Sequence, residues 1–429
     1  MIVRILKSLG LFGLLACVFA QAANGSSFVS NAERNLKWRK ERITIAVSDS
    51  FKSDISAIKR GSDPAEALRR SLKTWSEATG IEFELVNSDD LNVSSAGSTG
   101  DGVNLITIAG TAQNTLFIGK EAVGIPAATR LFFDKAGRIT EADIVLNPAE
   151  QFSTDGTFGT YDLESIFVHE IGHLLGFGHS DLPSSSLFES LARNGLFGAQ
   201  AFSVRTLSSA DVGEARAKYG SPTDVDCCGS VTGKLSLPSG RAAVNVEVWL
   251  EEFADGRIAA NTRSDDQGRF RFNNLPEGNY RLFKSSDIGR SEPVQIQILS
   301  EEEVKFAERS AVTDIETKVF LGLNGQLSNV AVPVNRGSTY RVYLGVPIGL
   351  AEPVQVFSTS KYVSVDPDSI VVHSFFEGLK VISVEIEIDT SAEFGEYSLV
   401  LKLNNGRTVP MPGSLSLEAF KVGGFRSIF

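Results

Sequence analysis

Histidine, methionine and cysteine are scarce in this chain of 429 residues, which carries four, two and three of them respectively. So few cysteines exclude the dense disulfide framework that staples small exported domains. Cys227 and Cys228 are adjacent, and neighbours bridge each other only through a strained ring. A vicinal disulfide, an intermolecular bridge and two free thiols all remain open for them, and a cysteine-based zinc site lacks ligands. Positive charge is also short. Forty-one Lys and Arg face 52 Asp and Glu, for a net charge of −11, so the basic face that nucleic acid requires is missing. Beyond residue 22 no apolar run is long enough to cross a bilayer. At this length a single core is excluded too, and two to four domains are expected, with a soluble globular composition of 42% hydrophobic and 22% charged residues.

The opening residues differ from all that follow. Arg4 and Lys7 form a basic start, Leu9 to Ala20 a short apolar stretch, and Ala20-Gln21-Ala22 supplies the small residues that a signal peptidase reads. Residues 1–22 are therefore expected to be a secretory signal cleaved near Ala22, delivering the chain to the periplasm or the exterior. Leu14-Leu15-Ala16-Cys17 offers a lipoprotein anchor at Cys17 as the alternative. The apolar run continues past Cys17, which favours ordinary cleavage.

Residues 23–41 lack a convincing pattern. From 42 to 221 strand and helix signals intermix. Arg42 to Ser48 alternates like a strand, and Pro64 to Gly80 places Ala65, Leu68, Leu72 and Trp75 on one helical face behind an Asp63 cap. Ile81 to Val86, Val103 to Ala109 and Arg138 to Leu146 read as further strands. Asn87 to Gly102 reads as a loop. Asp162 caps a helix running to Leu175, and Ser208-x-x-Asp211 opens a last one, ended by Gly220. This is an α+β domain. Residues 226–304 show only strand alternation (Val244, Val246, Val248 and Leu250; Phe270 and Phe272) and turn signals, hence a β-sandwich. Residues 312–420 repeat that style with Ile382, Val384, Ile386 and Ile388, hence a second β-sandwich domain. The helix-prone stretch Glu301 to Ser310 is expected to link the two, and 421–429 to be a tail.

The scarce histidines are not scattered: three of the four fall within eleven residues, in His169-Glu-Ile-Gly-His173-Leu-Leu-Gly-Phe-Gly-His179. On a helix, His169 and His173 lie four apart on one face and can present imidazole nitrogens to one ion. Gly176 can take a positive φ and turn the chain back, so that His179 arrives as a third ligand. Three histidines leave the fourth tetrahedral position to water, the arrangement of a catalytic rather than a structural zinc. Glu170 can then reach that water as general base without being a ligand. The expected chemistry is zinc-dependent hydrolysis of peptide bonds.

These residues, with Ser180 after the third histidine, resemble the metzincin zinc site and its matrixin branch. Leu36-Lys37-Trp38, Ala65 to Thr79, Gly137 to Pro148 and Leu207 to Gly220 are similar to further matrixin segments, so the resemblance spans roughly residues 36–220. It implies a metzincin-type catalytic domain with a five-stranded mixed twisted sheet, three helices and a cleft that binds substrate as an extended strand: a secreted zinc endopeptidase. Departures exist. The family's methionine beneath the metal has no counterpart, since only Met1 and Met411 occur, and Leu187 of Pro183-Ser-Ser-Ser-Leu187-Phe188-Glu189 stands in its place. Leucine has a similar volume and preserves an apolar floor. Glu189 stands where matrixins usually carry proline, and no cysteine-bearing propeptide precedes the domain. Residues 229–283 resemble carboxypeptidase-regulatory-like sandwiches through Asp265-Asp-Gln-Gly-Arg-Phe-Arg-Phe272-x-x-Leu-Pro-x-Gly-x-Tyr280. Residues 312–420 look generically immunoglobulin-like.

Asp89, Asp90 and Asp101 leave two readings open, a calcium site of the kind matrixins often carry and a solvated loop. Without ligand-loop spacing the loop is the simpler one. Asp181 fits a turn-forming residue, Trp249 and Phe375-Phe376 fit sheet packing rather than exposed binding aromatics, and His373 a structural role. The expected partner is a protein or peptide substrate, with the β modules free to bind a partner or surface. The rival functions are a catalytically degenerate adhesin that works through its β-sandwich modules, and a zinc hydrolase of non-peptide amides or esters. The intact Glu170 opposes the adhesin.

Overall fold

Alternating apolar residues at Ile43, Ile45 and Val47 make Arg42–Ser48 a strand (β1), and the structure, a computed structural model, builds the first domain around it. It describes residues 36–52, 55–119, 124–198, 204–220, 228–284, 293–309, 319–347, 352–373, 378–406 and 408–417. The expected signal of residues 1–22, Cys17, Cys227, Phe375-Phe376 and the tail lie outside the described residues. Asp63 caps helix α1 (Pro64–Thr79) by accepting from the Glu66 amide, and Gly80 ends it in the left-handed region. Then follow β2 (Glu82–Ser88), β3 (Leu105–Thr107), α2 (Ala112–Ile118), β4 (Ala127–Phe133), β5 (Ile139–Leu146), the short pair β6 (Phe152–Ser153) and β7 (Tyr161–Asp162), α3 (Leu163–Leu174) and α4 (Ser209–Tyr219).

The five longer strands form one sheet in the order β2-β1-β3-β5-β4, parallel except for β4, which runs antiparallel to β5 at the edge. Helices α1 and α3 pack on one another over this sheet, with Trp75 fully buried between them and its Nε1 donating to the Val168 carbonyl at 2.7 Å. β4 and α2 are elements beyond those expected from the sequence, so the described residues of the domain hold four α-helices in place of three.

Downstream the described residues form strands and, apart from a short 3-10 turn at Pro367–Ser369, no helix. Strands β8 (Cys228–Ser236), β9 (Glu247–Glu252), β10 (Ile258–Arg263), β11 (Arg269–Pro276), β12 (Gly278–Lys284), β13 (Val294–Ile298) and β14 (Glu303–Arg309) make two sheets, β10-β9-β12-β13 and β11-β8-β14. Val248, Leu250, Phe270, Phe272 and Ile298 from both sheets share one core. The helical linker expected at Glu301 to Ser310 is corrected here: Glu303–Arg309 is a strand pairing parallel with β8, past the expected boundary at 304. Its helix-favouring Glu, Lys and Ala are overridden because Val304 and Phe306, two apart, pack on that core. Cys228 is disulfide-bonded, which removes the free-thiol reading for it.

The last region contains β15 (Phe320–Leu323), β16 (Gln326–Ser328), β17 (Val332–Pro333), β18 (Thr339–Pro347), β19 (Pro353–Ser358), β20 (Val363–Val365), β21 (Val371–His373), β22 (Leu379–Ile388), β23 (Gly395–Leu403) and β24 (Thr408–Leu417). One sheet runs β16-β15-β18-β22-β20, with β21 also on β22, and the other β17-β24-β23-β19. The alternating Ile382, Val384, Ile386 and Ile388 are all buried in the core the sheets share. No helix among the described residues is long and apolar enough to cross a membrane.

Candidate metal centre

The histidine-bearing helix is buried on almost every side. From Leu163 to Gly172 each residue is buried, so α3 is held by its surroundings rather than by one amphipathic stripe. Asp162 caps it by accepting from the Ser165 amide at 3.0 Å and is itself paired with Arg205. The other end matters more for the site, since the last carbonyls of a helix lack internal partners. Here they are met one by one. Trp38 Nε1 donates to the Leu174 carbonyl at 2.9 Å, the Tyr219 hydroxyl to Leu175 at 2.6 Å, and Lys218 Nζ to Gly176 at 2.6 Å. The first and last segments of the domain thus close over the point where the chain turns.

At that turn Gly176 has φ +87°, and its amide donates to the His173 carbonyl at 2.8 Å. A Cβ there would lie 2.4 Å from the Leu36 carbonyl oxygen, so both the conformation and the space call for glycine. The turn brings His179 back. One ligand atom from each of His169, His173 and His179 lies within 4.8 Å of the others, the sole such group of three or more potential ligands found among the described residues. The ring centroids stand 4.6, 5.4 and 4.8 Å apart.

The tautomers can be read from the partners. His169 Nδ1 lies 2.8 Å from the Ser186 carbonyl and His173 Nδ1 2.9 Å from the Phe177 carbonyl. A carbonyl accepts only, so each Nδ1 carries a hydrogen and each neutral Nε2 presents a lone pair. Those two Nε2 atoms face each other at 3.0 Å. Two acceptors aimed at one point are unfavourable unless a cation sits between them. Three neutral imidazoles with outer hydrogen bonds already made are the donor set of a zinc ion, and the residues fit that metal. Burial first, then the neighbouring histidines, holds His169 well below the ordinary imidazole range, and the same causes bring His173 to about 4. His179, the exposed member of the three, is also lowered by partial desolvation, against the opposing charges of Glu189 and Asp181. All three are thereby kept in the metal-binding state.

Glu170 is buried beside them at 3% exposure. Its Oε2 accepts from the Thr129 hydroxyl of β4 at 2.5 Å. Burial raises this carboxyl to about 7, and the Thr129 bond opposes the rise. Beneath the helix lies Leu187, fully buried, whose Cδ2 would be 2.4 Å from a Cβ on Gly172. The Ser180 amide donates to the Leu187 carbonyl at 2.9 Å, tying the strand that leaves His179 to the segment under the metal centre.

Three contributors were not apparent from sequence reasoning. Thr129 is one. The Ser186 carbonyl is another, and Asp211 the third. Asp211 closes the α4 capping box, as its spacing predicts, but it also accepts from the Ser185 hydroxyl at 2.5 Å, the Ser186 amide at 2.9 Å and the Ser186 hydroxyl at 3.0 Å. The serine run after Pro183 was the available signal, because consecutive hydroxyls bury well only around an acceptor. The loop acids do not converge. The Asp101 carboxylate accepts from the Val103 amide and that of Asp90 from the Ser88 hydroxyl, both ordinary turn contacts. Asp181 pairs with Arg263, Trp249 stacks on Phe283 at 5.2 Å within packed structure, and His373 meets the Ser383 hydroxyl at 2.7 Å.

A helix-borne His-Glu-x-x-His pair, closed by a third histidine across a glycine turn beside a five-stranded sheet, defines a domain with a candidate histidine metal centre. Comparison with known proteins points the same way: the matrixin family model matches residues 37–219, so this part of the chain is similar to matrixins. The carboxypeptidase regulatory-like domain matches residues 230–306. Metalloendoproteinase 1-MMP of Arabidopsis thaliana is 31% identical over 159 residues, 36% of this chain and 38% of that protein. Metalloendoproteinase 4-MMP of the same plant is 27% identical over 135 residues, 30% of this chain and 34% of that protein. The chain thus spans little more than a third of the length of these relatives. Among solved structures, the major pilin subunit of Bacillus cereus is 14% identical at a TM-score of 0.18, over 44% of this chain and 69% of that one. At that score it bears on neither fold nor function.

Proposed function

We propose that the chain is a zinc-dependent endopeptidase in which His169, His173 and His179 hold the metal and Glu170 is the general base. The observation that carries this is the pair of Nε2 lone pairs facing at 3.0 Å, each fixed by a carbonyl behind it, with a buried carboxyl one residue along the helix. When bound, zinc supplies Lewis-acid polarisation of the scissile carbonyl and acidifies a water.

The chain's own residues do the rest. Among the described residues strand β4 pairs with β5 alone and lies at the edge of the sheet. An extended peptide added there lies alongside Thr129 and Glu170. Glu170 takes a proton from the attacking water and returns it to the departing amine nitrogen. Burial raises this carboxyl in the metal-free chain, and a cation held by the histidines would favour the ionised form that accepts the water's proton. Thr129 keeps Oε2 in place during them. The basic and apolar leader of residues 1–22 supports export, as a cleaved or a Cys17-anchored protein. The β regions at 228–309 and 319–417 are read as two sandwich modules, carboxypeptidase-regulatory-like and immunoglobulin-like.

Incubation with an unfolded protein tests the proposal. Cleavage is expected, abolished by a chelator and restored by zinc, and Glu170→Gln is expected to keep zinc yet lose about 10²–10⁴ in turnover. A zinc-loaded wild-type chain that cleaves no peptide bond overturns it and leaves the interaction-protein reading.

A further inference from the structure

The segment that follows His179 is clamped between the metal centre and the last β region. On one side it supports the histidines, through the Ser186 carbonyl on His169 and Leu187 under Gly172. On the other side it meets residues 319–417 at four places. The Ala331 amide donates to the Pro183 carbonyl at 3.2 Å, and a Cβ on Gly413 would fall 2.6 Å from the Ser184 hydroxyl. Asn329 Nδ2 donates to the Ser190 hydroxyl at 2.6 Å. Phe197 is the firmest contact. It holds a φ of +62°, is 2% exposed, and its ring lies within the core of the last β region with Leu321, Leu323 and Val332. Its amide and carbonyl are both taken by that region, by the side chains of Gln326 and Asn324 respectively.

A residue of the first domain that is buried in the core of the last, in a backbone region disfavoured for phenylalanine, is not an incidental surface contact. We infer that the last β region is a working part of the metal site, with Phe197 as the positioning residue through which it holds the 182–198 segment. That segment runs directly beneath the histidine-bearing helix, where Leu187 packs on Gly172 and the Leu187 carbonyl accepts from the Ser180 amide next to His179, so in this inference it is also the wall beside the scissile bond. The inference rests on the zinc peptidase reading but extends it: the downstream module sets substrate preference and metal retention from behind the site instead of binding a separate partner. Loosening the clamp relaxes both the Ser186 bond to His169 and the wall, while the His-Glu-x-x-His helix keeps its own support from Trp75, Trp38 and Tyr219.

The test uses the full chain as wild type, as Phe197→Ala, and as the double variant Gln326→Ala with Asn329→Ala, which leaves the core ring in place and guards against a folding failure of the first. Zinc affinity is measured by competition with a chromogenic chelator, and side-chain preference by cleavage of a randomised peptide pool. Folded variants are expected to bind zinc less tightly, by about tenfold for Phe197→Ala and about threefold for the double variant, in line with the loss of a bond that orients a ligand. Both are also expected to accept a broader set of residues beside the cleaved bond. Folded variants with wild-type zinc affinity and wild-type preference overturn the inference. A wild-type chain that binds zinc but cleaves nothing defeats the peptidase reading alone, and the chelator arm then decides the inference by itself.

Discussion

At the residue scale the site depends on side chains whose partners fix one atom each. Thr129 is the plainest case, since its hydroxyl meets Glu170 Oε2 at 2.5 Å in a buried setting. Thr129→Val keeps the shape and removes the donor. It is expected to lower kcat by about tenfold with KM little changed, because the lost bond orients the base and not the substrate. Equal changes in kcat and KM would assign Thr129 to binding. Asp143 carries a pH signature. It is 1% exposed, accepts from the amides of Leu105 and Ser94, and is raised from 3.8 to about 7, by burial first and then by Glu141 and Asp101 against those bonds. Between these two values the folded chain binds the extra proton, so the Asp143 contribution to stability is present at low pH and declines as pH rises through the window. NMR titration of the Asp143 carboxyl in the folded chain is expected to give a midpoint near 7; a midpoint near 4 would contradict the assignment.

At the element scale, α3 and the turn after it do most of the positioning. The Asp162 cap, the length of this helix and the return of His179 were legible in the sequence, but its burial was not, because Glu164, Ser165, His169 and Glu170 interrupt the apolar residues. What could not be read was how the helix end is satisfied. Trp38, Lys218 and Tyr219 are far from it in sequence and meet it only in the fold. The same holds for Ser186 and Asp211, where local signals named a capping box but not the bonds that reach the ligand-bearing helix. β4 was missed because Ala127–Phe133 breaks strict alternation: Thr129 faces the site, and Arg130 donates to the Ser94 carbonyl and stacks on Phe117. The misread Glu301 to Ser310 stretch shows the converse, a helical composition outvoted by two apolar residues with a core to fill. The turn yields a prediction of its own. Gly176→Ala would set a methyl against the Leu36 carbonyl at a positive φ, and is expected to destabilise the domain by about 1–3 kcal/mol and to weaken zinc binding in the same variant. Denaturant unfolding and chelator competition measure the two effects, and a variant of wild-type stability would contradict the account of the turn.

At the scale of the whole molecule the three regions are joined through buried contacts. Leu182 and Ala210 of the first pack with Trp249 and Ile258 of the second, Glu251 of the second accepts from Ser398 of the third at 2.9 Å, and Phe197 of the first enters the core of the third. Composition and alternation suggest a division into these regions, and each region has a core of its own. They were silent on the joints, which single residues such as Trp249 make; it reads as sheet packing yet faces another region. Metal binding is expected to stabilise the folded chain by mass action, so adding excess zinc to metal-free chain raises the unfolding midpoint in proportion to the logarithm of free zinc. A midpoint indifferent to zinc would place the ion outside the folded structure. The most direct measurement is zinc X-ray absorption on the purified chain. The account predicts one zinc per chain, with three imidazole nitrogens and one oxygen at about 2.0–2.1 Å and one nitrogen fewer in His179→Ala. A zinc shell that is unchanged in His179→Ala, or that contains sulfur, would contradict it.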